Sequence, residues 1–547
     1  MNILPGRAVL CFFLLALSAP MLSAQTFRGT LLGTVTDASG AVVPKAAVAV
    51  KNMDTGVSRT TETNSEGAFT VPELPVGRYS VDVTMTGFSP YHAEGINIEV
   101  AGQVNLTVTL QTGVQKEEVV VSGNALQVET TSNTLGATLT TNEVKNLPVN
   151  GRDYTKLIYL SPGVTGSPDQ ISDSPGSFGT FSVNGARGRS NNFLLDGTDM
   201  NDGYRNDPAV NEAGVFGAPA TILPIDAVSE LRVLSNFEPE YGRNAGGVIN
   251  IVTKSGTNQF HGTAAEYFRN NALDARNYFN PKGQTQAPFH NNQFGGSIGG
   301  PIIRNRTFFF FDYEGQRESV GTVSQACVPD PAFIDSLGGA TNPVIASLLQ
   351  RHPWPSPNLG GATTGETGCS APNAAVIAPS SNDITSLIAK VDHNINQNNM
   401  LSGRYYYGDS TQSFPLALSG GGILPGFNTF TPTRVQLVSI SFVSVLGPNK
   451  VNEARVGWNR FAEGFFPEDR SFQPSSIALN TGTGYADQGL PVIVVQGYAQ
   501  LGANKSDPRQ RYDSNWQAFD NFSWTAGKHA IKFGYEFRRT SITQFLG

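Results

Sequence analysis

The sequence predicts a mostly β protein in three parts: a small β-sandwich, a compact α/β unit and an antiparallel transmembrane β-barrel. Three observations lead to this fold class. Short segments that alternate apolar and polar residues fill the chain as far as residue 112. Between residues 181 and 258, short β-type runs are separated by Gly, Asn and Asp turns. Beyond residue 258 the strands become long and rich in aromatic residues, as in a membrane barrel.

Composition limits the classes of function. The length of 547 residues exceeds one ordinary domain. Charged residues make up 15% of the chain, against roughly 25% in a typical soluble protein. With 59 glycines and no apolar run long enough for a membrane helix, this composition is typical of a β-barrel, although a secreted all-β adhesin shares it. The net charge of −7 without a basic block makes nucleic acid an unexpected partner.

Residues 1–24 have the pattern of a secretory signal peptide. Arg7 supplies the positive charge, Ala8–Ala19 forms an apolar core too short to span a membrane, and Leu22–Ala24 offers a cleavage site before Gln25. The mature chain is therefore expected outside the cytoplasm, where disulfides persist.

Residues 27–112 are predicted to form an Ig-like β-sandwich. Seven period-two segments are separated by turns that contain glycine, which is the strand spacing of such a fold. The segments are Leu31–Asp37, Ala47–Asn52, Ser58–Thr63, Ala68–Leu74, Arg78–Met85, Ile96–Val100 and Val104–Leu110.

Residues 113–123 form a linker with an unusual composition. Two acidic residues precede a β-branched run and a turn: Glu117, Glu118, Val119, Val120, Val121, Ser122 and Gly123. Such a segment can add as a strand to the sheet edge of another protein. It can equally be the first strand of the next domain or an edge strand of the sandwich, because a β-branched run alone does not identify its partner.

Residues 124–258 are predicted to form the α/β unit. A short helix is expected from Asn142 to Asn146, before Pro148, and a polar surface loop over Ser161–Thr180. Three aspartates at a spacing of three, Asp196, Asp199 and Asp202, invite a calcium interpretation. They lack the loop length and closing glutamate of an EF-hand, so a solvated turn is preferred.

Residues 259–547 carry the barrel pattern. In the last candidate strand Ile531, Phe533 and Tyr535 share one face, and Lys532 and Glu536 share the other, as a lipid face and a lumen face require. The candidate strands are 261–270, 293–303, 307–319, 383–395, 400–410, 435–446, 451–461, 515–525 and 529–541.

Connection lengths favour a barrel over a soluble sandwich. Short connections near residues 305, 397, 448 and 527 alternate with long ones at 271–292, 320–382, 411–434 and 462–514. Short periplasmic turns and long external loops are an outer-membrane trait. Nine strands is an odd number, and the alternation leaves Ser541–Gly547 on the outer side. Bacterial barrels have an even number, so the barrel is expected to be truncated.

The cysteines predict one disulfide. Cys11 falls in the leader, and Cys327 and Cys369 share the long outer connection Gly321–Asn382. A bridge between them would contribute about 3–4 kcal/mol by restricting the unfolded loop.

No catalytic, metal or cofactor site is predicted. Ser297 lies in a G-x-S-x-G match, but the glycines fall within a predicted strand that ends at Pro301, and no helix follows. The six histidines are scattered without metal-ligand spacing.

Several motifs in order resemble TonB-dependent outer-membrane receptors. NGARGRSNNFLLDG, PIDAVSELRV, YGRNAGGVINIVTKSGTN and FHGTAAEYFRN are similar to the passage from plug to barrel in that family, most closely in its Oar-like branch. GTVTDASGAVVPKAAVAV resembles the carboxypeptidase-regulatory-like domain that this branch carries at its N-terminus, a prealbumin-like fold.

The resemblance implies a location, partners and a function. It implies a periplasmic N-terminal domain, a plug at 124–258, a barrel of about 22 strands in the outer membrane of a Gram-negative bacterium, and a TonB box at Glu117–Ser122. The implied partners are TonB with ExbB and ExbD, outer-membrane lipid, and an imported ligand such as a siderophore, glycan or peptide. The alternatives are an Oar-type platform for secretion or adhesion, with carbohydrate binding by the first domain, and a secreted peptidase, which the lack of a zinc motif sets aside.

Overall fold

The computed structural model describes residues 28–546 with internal gaps. The predicted signal peptide, Glu117, Glu118 and most of the predicted loop Ser161–Thr180 lie outside the described residues. The gaps are at 101, 114–118, 123–134, 167–180, 211–212, 216–217, 238–240, 243, 276–285, 287, 337–341, 360–367, 415–423, 448, 483, 485–486, 504–506 and 527–528.

The N-terminal domain is a β-sandwich of two sheets. Its strands are β1 (Gly29–Asp37), β2 (Ala47–Asn52), β3 (Ser58–Glu62), β4 (Ala68–Leu74), β5 (Gly77–Thr84), β6 (Tyr91–Ile98), β7 (Gln103–Leu110) and β8 (Val119–Ser122). One sheet has the order β4-β1-β7 and the other β3-β2-β5-β6-β8. Alternate residues such as Leu31, Val48 and Val81 are buried between the sheets and form the core.

One predicted strand of the sandwich has different bounds. β6 starts at Tyr91, whereas the sequence predicted a strand beginning at Ile96. The pairing with β5 shifts in register here, and Gly95 has a φ of 75°. This bulge shifts the phase of the alternation, so the two halves of the strand do not follow one continuous period-two pattern.

The second domain is built on a mixed five-stranded sheet with the order β13-β12-β17-β16-β9. Helix α1 (Thr141–Asn146) begins one residue before its predicted start, because Thr140 and Glu143 form a capping box. The strands are β9 (Leu135–Leu139), β10 (Val164–Gly166), β11 (Phe181–Val183), β12 (Asn192–Leu195), β13 (Thr198–Asp199), β14 (Ala213–Val215), β15 (Ala218–Pro219), β16 (Val228–Asn236) and β17 (Val248–Thr253).

The third part is one antiparallel sheet in which each of nine strands pairs with its neighbour in sequence. The predicted strand number is confirmed, and β18 and β26 lie at the two ends of the described sheet. The strands are β18 (His261–Asn270), β19 (Phe289–Ile303), β20 (Thr307–Ala326), β21 (Ala374–Asn394), β22 (Asn399–Phe414), β23 (Thr429–Gly447), β24 (Lys450–Pro467), β25 (Arg509–Ala526) and β26 (His529–Leu546). Helices α2 (Pro331–Ser336) and α3 (Pro343–Leu349) lie in the connection from β20 to β21.

Several strands extend further toward the long outer loops than predicted. β20 continues to Ala326 and β21 starts at Ala374, so their connection is 327–373 and not Gly321–Asn382. The extra residues are paired along their whole length, and Ala326, Ala374 and Val376 are buried against the outer loops. The outer ends of these two strands, 320–326 and 374–382, do not alternate apolar and polar residues, so the sequence did not predict them as strands.

The second domain lies against the inner face of the sheet. Its apolar residues share one core with inward side chains of the sheet, including Phe310, Ile388, Tyr406 and Phe461. This is the arrangement of a plug within a barrel wall. Among the residues described, no helix has the length and apolarity needed to cross a membrane.

Candidate functional site: a plug held by buried charges

The three regularly spaced aspartates are buried at the contact between plug and wall. Asp196, Asp199 and Asp202 are 5%, 3% and 1% exposed. The preferred interpretation as a solvated turn is therefore wrong. Within the described part of the chain, no group of three His, Cys, Asp or Glu side chains is placed to hold a metal ion.

A tight hairpin turn presents the first of these carboxylates. β12 and β13 are joined by Asp196 and Gly197, whose φ angles are 45° and 70°. Two successive positive φ values are typical of the Asp-Gly turns that join short hairpins. An added Cβ at Gly197 would lie 2.2 Å from Nη1 of the buried Arg455, so the position needs glycine for space as well.

Asp196 binds two cations of the wall. Its Oδ2 accepts a hydrogen bond from Nη1 of Arg404 at 2.9 Å, and Nζ of Lys390 lies 3.8 Å from its Oδ1. Thr253 of the plug donates to both carboxylate oxygens. Burial opposes ionisation, but Lys390, Arg404 and the Thr253 hydrogen bonds bring the pKa of Asp196 below its ordinary value.

The other two aspartates contact two further strands. Asp199 pairs with Arg538 of β26. Asp202 lies 3.7 Å from Nη1 of Arg511 of β25, and its Oδ1 also accepts from the backbone N–H of Arg205 at 2.6 Å. One short plug segment is thus tied by charge to four strands of the wall, β21, β22, β25 and β26.

A second, half-buried link joins the start of the plug to the wall. The guanidinium of Arg152 lies 3.3 Å from Asp226 of the plug and 3.4 Å from Glu314 of β20. It also stacks 4.2 Å from the ring centroid of Tyr267 of β18. Removing Arg152 would leave the buried Glu314 and the half-buried Asp226 without this cation, which makes the link energetically important.

The predicted TonB-contact segment has a defined place in the backbone. Val119, Val120, Val121 and Ser122 form β8, which pairs in parallel with Tyr91–Glu94 of β6. β8 is the last strand of its sheet, so its other edge carries no strand among the residues described. Of the alternatives that the sequence left open for this segment, the structure shows the edge strand of the sandwich.

The two cysteines lie at the outer end of the wall. Cys327 and Cys369 form a disulfide with a Cα–Cα distance of 5.7 Å. The backbone N–H of Ala499 donates to the carbonyl of Cys327 at 2.8 Å, and Trp354 Nε1 donates to the carbonyl of Ala499 at 2.9 Å. The outer loops thereby pack together around a shared apolar cluster that includes Leu424, Phe427, Phe472, Leu490 and Leu501.

Ser297 has no catalytic surroundings in the described residues. It lies inside β19, and its hydroxyl shares a 2.8 Å hydrogen bond with that of Thr263 on β18. A serine in the middle of a paired strand lacks the exposed turn that a nucleophile elbow requires.

The sandwich sits on the side of the short connections. The backbone N–H of Val100 donates to Oε2 of Glu230 at 2.8 Å, and Arg232 Nη1 donates to the carbonyl of Val100 at 2.7 Å. Asn258 Nδ2 donates to the carbonyl of Thr55 at 2.6 Å. A cavity of about 600 Å³ lies between the sandwich, the plug and the wall.

Comparison with known proteins agrees with this architecture. Residues 252–546 match the outer membrane beta barrel domain family, and residues 30–111 match the carboxypeptidase regulatory-like domain family. The chain is 29% identical over 297 residues to the TonB-dependent transporter Oar of Myxococcus xanthus, covering 51% of this chain and 26% of that protein.

Two further similarities concern Escherichia coli proteins. The ferrienterobactin receptor of strain K12 is 29% identical over 140 residues, which cover 24% of this chain and 18% of the receptor. The solved structure of the outer membrane transporter YddB aligns with a TM-score of 0.49 at 15% identity, over 75% of this chain and 48% of that one. The chain thus spans about a quarter or less of the length of these curated relatives and about half of the solved transporter.

Proposed function

The chain belongs to the outer membrane beta barrel domain family, as an Oar-like TonB-dependent receptor, and from this premise we propose that it imports a ligand across the outer membrane with energy transmitted by TonB. Homologues of the chain are transporters and receptors, and an enzyme activity is not part of the proposal. The outer loops capture the ligand, and the plug blocks the path until TonB displaces it.

The observation that supports this proposal is the buried charge contact between plug and wall. Asp196, Asp199 and Asp202 hold the plug at four strands, and all three carboxylates are buried away from water. Breaking such pairs costs several kcal/mol each, so the plug stays closed without an external force. A directed pull supplies that force, and this explains why energy input is needed.

We further propose that TonB takes hold of the chain at Glu117–Ser122. Val119–Ser122 is extended and lies at a sheet edge, the geometry in which a partner strand can add by backbone hydrogen bonds. In the sequence the segment directly precedes the plug, so tension applied to it is transmitted to the plug through the chain.

Ligand uptake by a proline variant tests both the import function and the contact with TonB. Val120→Pro removes a backbone donor from the strand and should abolish energy-dependent ligand accumulation, while the protein still reaches the outer membrane. Val120→Thr keeps the donor and the β-branched shape, and it should transport normally.

The ligand for this assay comes from growth of a deletion strain on different iron and carbon sources. Normal accumulation by Val120→Pro would exclude contact with TonB through this segment. Accumulation that continues after collapse of the proton-motive force would exclude TonB-driven import itself.

A further inference from the structure

A polar groove lies on the outward face of the barrel wall, away from the plug. It crosses β22 to β25 near their outer ends and has a volume of about 410 Å³. Its charged and polar lining includes Asp409, Arg434, Gln436, Arg460, Gln510 and Tyr512.

Strand alternation establishes that these side chains point away from the plug. On β22, Arg404 and Tyr406 bond to plug residues, so Asp409 is on the opposite face. On β23, Val435 is part of the core shared with the plug, and its neighbours Arg434 and Gln436 are not buried.

The groove lies at the height of lipid headgroups. Trp458 and Trp516 are cross-strand partners with ring centroids 6.1 Å apart, and Arg460 is one row further out. At the other end of β25, Lys450 Nζ is 5.5 Å from the ring centroid of Trp524. Trp524 follows Trp516 by eight residues, roughly 27 Å along the strand. For a strand tilted by about 40° this is roughly 21 Å along the membrane normal, close to the apolar band of about 25 Å in outer-membrane barrels.

The two tryptophan levels therefore mark the borders of the apolar band, since aromatic girdles occupy both interfaces of such barrels. Arg434 and Arg460 lie just beyond the outer border. Below them Val438, Ile440 and Val456 face outward and offer an apolar surface for acyl chains.

The two arginines have N–H groups available for a further hydrogen-bond acceptor. Arg434 Nε donates to Oδ1 of Asp409 at 2.7 Å, and its guanidinium lies 5.6 Å from the ring centroid of Tyr407. These contacts orient the guanidinium, and because it carries five N–H donors, donors remain for another acceptor. Arg460 is exposed, and among the described residues it forms no ion pair with a carboxylate. A planar guanidinium binds phosphate by paired hydrogen bonds, and its weak hydration suits a membrane border.

We propose that this groove binds the phosphate-bearing headgroup of a lipid in the outer leaflet, with Arg434 and Arg460 as the ligands of the phosphate. The acyl chains lie along the apolar surface below. The position at the edge of the apolar band favours a lipid over a free anion, because a free anion gains nothing from that surface.

Binding of diphosphoryl lipid A to the purified full chain tests the proposal. Native mass spectrometry in detergent should show that the Arg434→Ala/Arg460→Ala variant binds at least about tenfold more weakly, because hydrogen bonds to charged groups contribute more than one factor of ten each. The matched control is Arg304→Ala/Arg306→Ala, which removes two exposed arginines from the turn between β19 and β20. This control should bind like the unmodified protein.

Two further probes test whether the phosphate is required and whether it must belong to a lipid. Lipid A without phosphates should bind the unmodified protein as weakly as diphosphoryl lipid A binds the groove variant. Inorganic phosphate at the same concentration should not compete. Equal binding by the two arginine variants, or equal binding of lipid A with and without phosphates, would overturn the proposal. Full competition by inorganic phosphate would show a free-anion site and overturn the lipid assignment.

Discussion

At the scale of single residues, Asp196 joins the plug to two buried cations of the wall. Its carboxylate joins Arg404 and Lys390 of the wall to Thr253 of the plug, with every one of these side chains largely buried. Such a group stabilises less by its own attraction than by satisfying charges that are already out of water. Its loss is therefore more damaging than the loss of a pair on the surface.

Replacement of Asp196 should loosen the plug. Asp196→Ala leaves Arg404 and Lys390 buried without their anion, and we expect the plug to lose about 3–5 kcal/mol of stability toward urea. Limited proteolysis of the plug during a urea titration measures this loss. The control is Arg78→Ala, which removes an exposed pair with Asp54 and should cost at most about 1 kcal/mol. Equal urea midpoints for the two variants would contradict the proposed role of Asp196.

The role of these aspartates was not predictable from the sequence. The spacing of Asp196, Asp199 and Asp202 is local, but their partners Arg404 and Arg538 are 208 and 339 residues away. Only the folded wall brings them together. The Asp-Gly pair at the end of an apolar run was the available signal, since it indicates a hairpin turn whose flanking strands are buried.

At the scale of elements, period-two alternation was sufficient to predict a strand where one face is apolar and the other polar along its length. β26 was predicted from its first residue, although not to its end at Leu546, because its apolar and polar faces alternate without interruption from Ile531 to Arg538. β6 was predicted only in part because the bulge at Gly95 shifts the phase of its pattern. The outer ends of β20 and β21 were missed because they pack against the outer loops and do not alternate apolar and polar residues. Alternation indicates a strand with one buried face, and it says little about a strand end that loops cover.

The disulfide should order the outer loops. Cys327 and Cys369 are 42 residues apart, and closing such a loop contributes about 3–4 kcal/mol by restricting the unfolded chain. In the Cys327→Ser/Cys369→Ser variant, proteases should cut the connection 327–373 much faster, while the strands remain protected. Non-reducing peptide mass spectrometry checks the bond directly. Free thiols at both positions of the unmodified protein would refute this prediction.

At the scale of the whole molecule, three parts meet on the side of the short connections. The sandwich contacts the plug through Val100 and the wall through Arg28, whose Nη1 lies 3.6 Å from Sδ of Met400. A small apolar cluster of Val76, Val100 and Val252 supports the same junction. The sandwich thus covers part of the opening of the wall on the side of the short connections. A ligand that passes the plug would leave on this side.

The docking of the sandwich should depend on pH through Glu230. Burial raises the pKa of this carboxyl to about 8, and the nearby Glu99 adds to the rise, against the Val100 hydrogen bond and Arg232. While the sandwich is docked, the carboxyl of Glu230 stays neutral up to about pH 8. When the contact opens, the carboxyl regains its ordinary pKa of 4.5 and ionises above that pH. The contact is therefore most stable below about pH 4.5 and weakens as the pH rises toward about 8.

Hydrogen–deuterium exchange at Val100 measures this, because its amide donates to Glu230. After correction for the intrinsic rate, exchange at pH 8.5 should be faster than at pH 5.5. Glu230→Gln keeps an oxygen acceptor but cannot ionise, so its corrected exchange should be the same at both values. A pH dependence that persists in Glu230→Gln would assign the effect to another group.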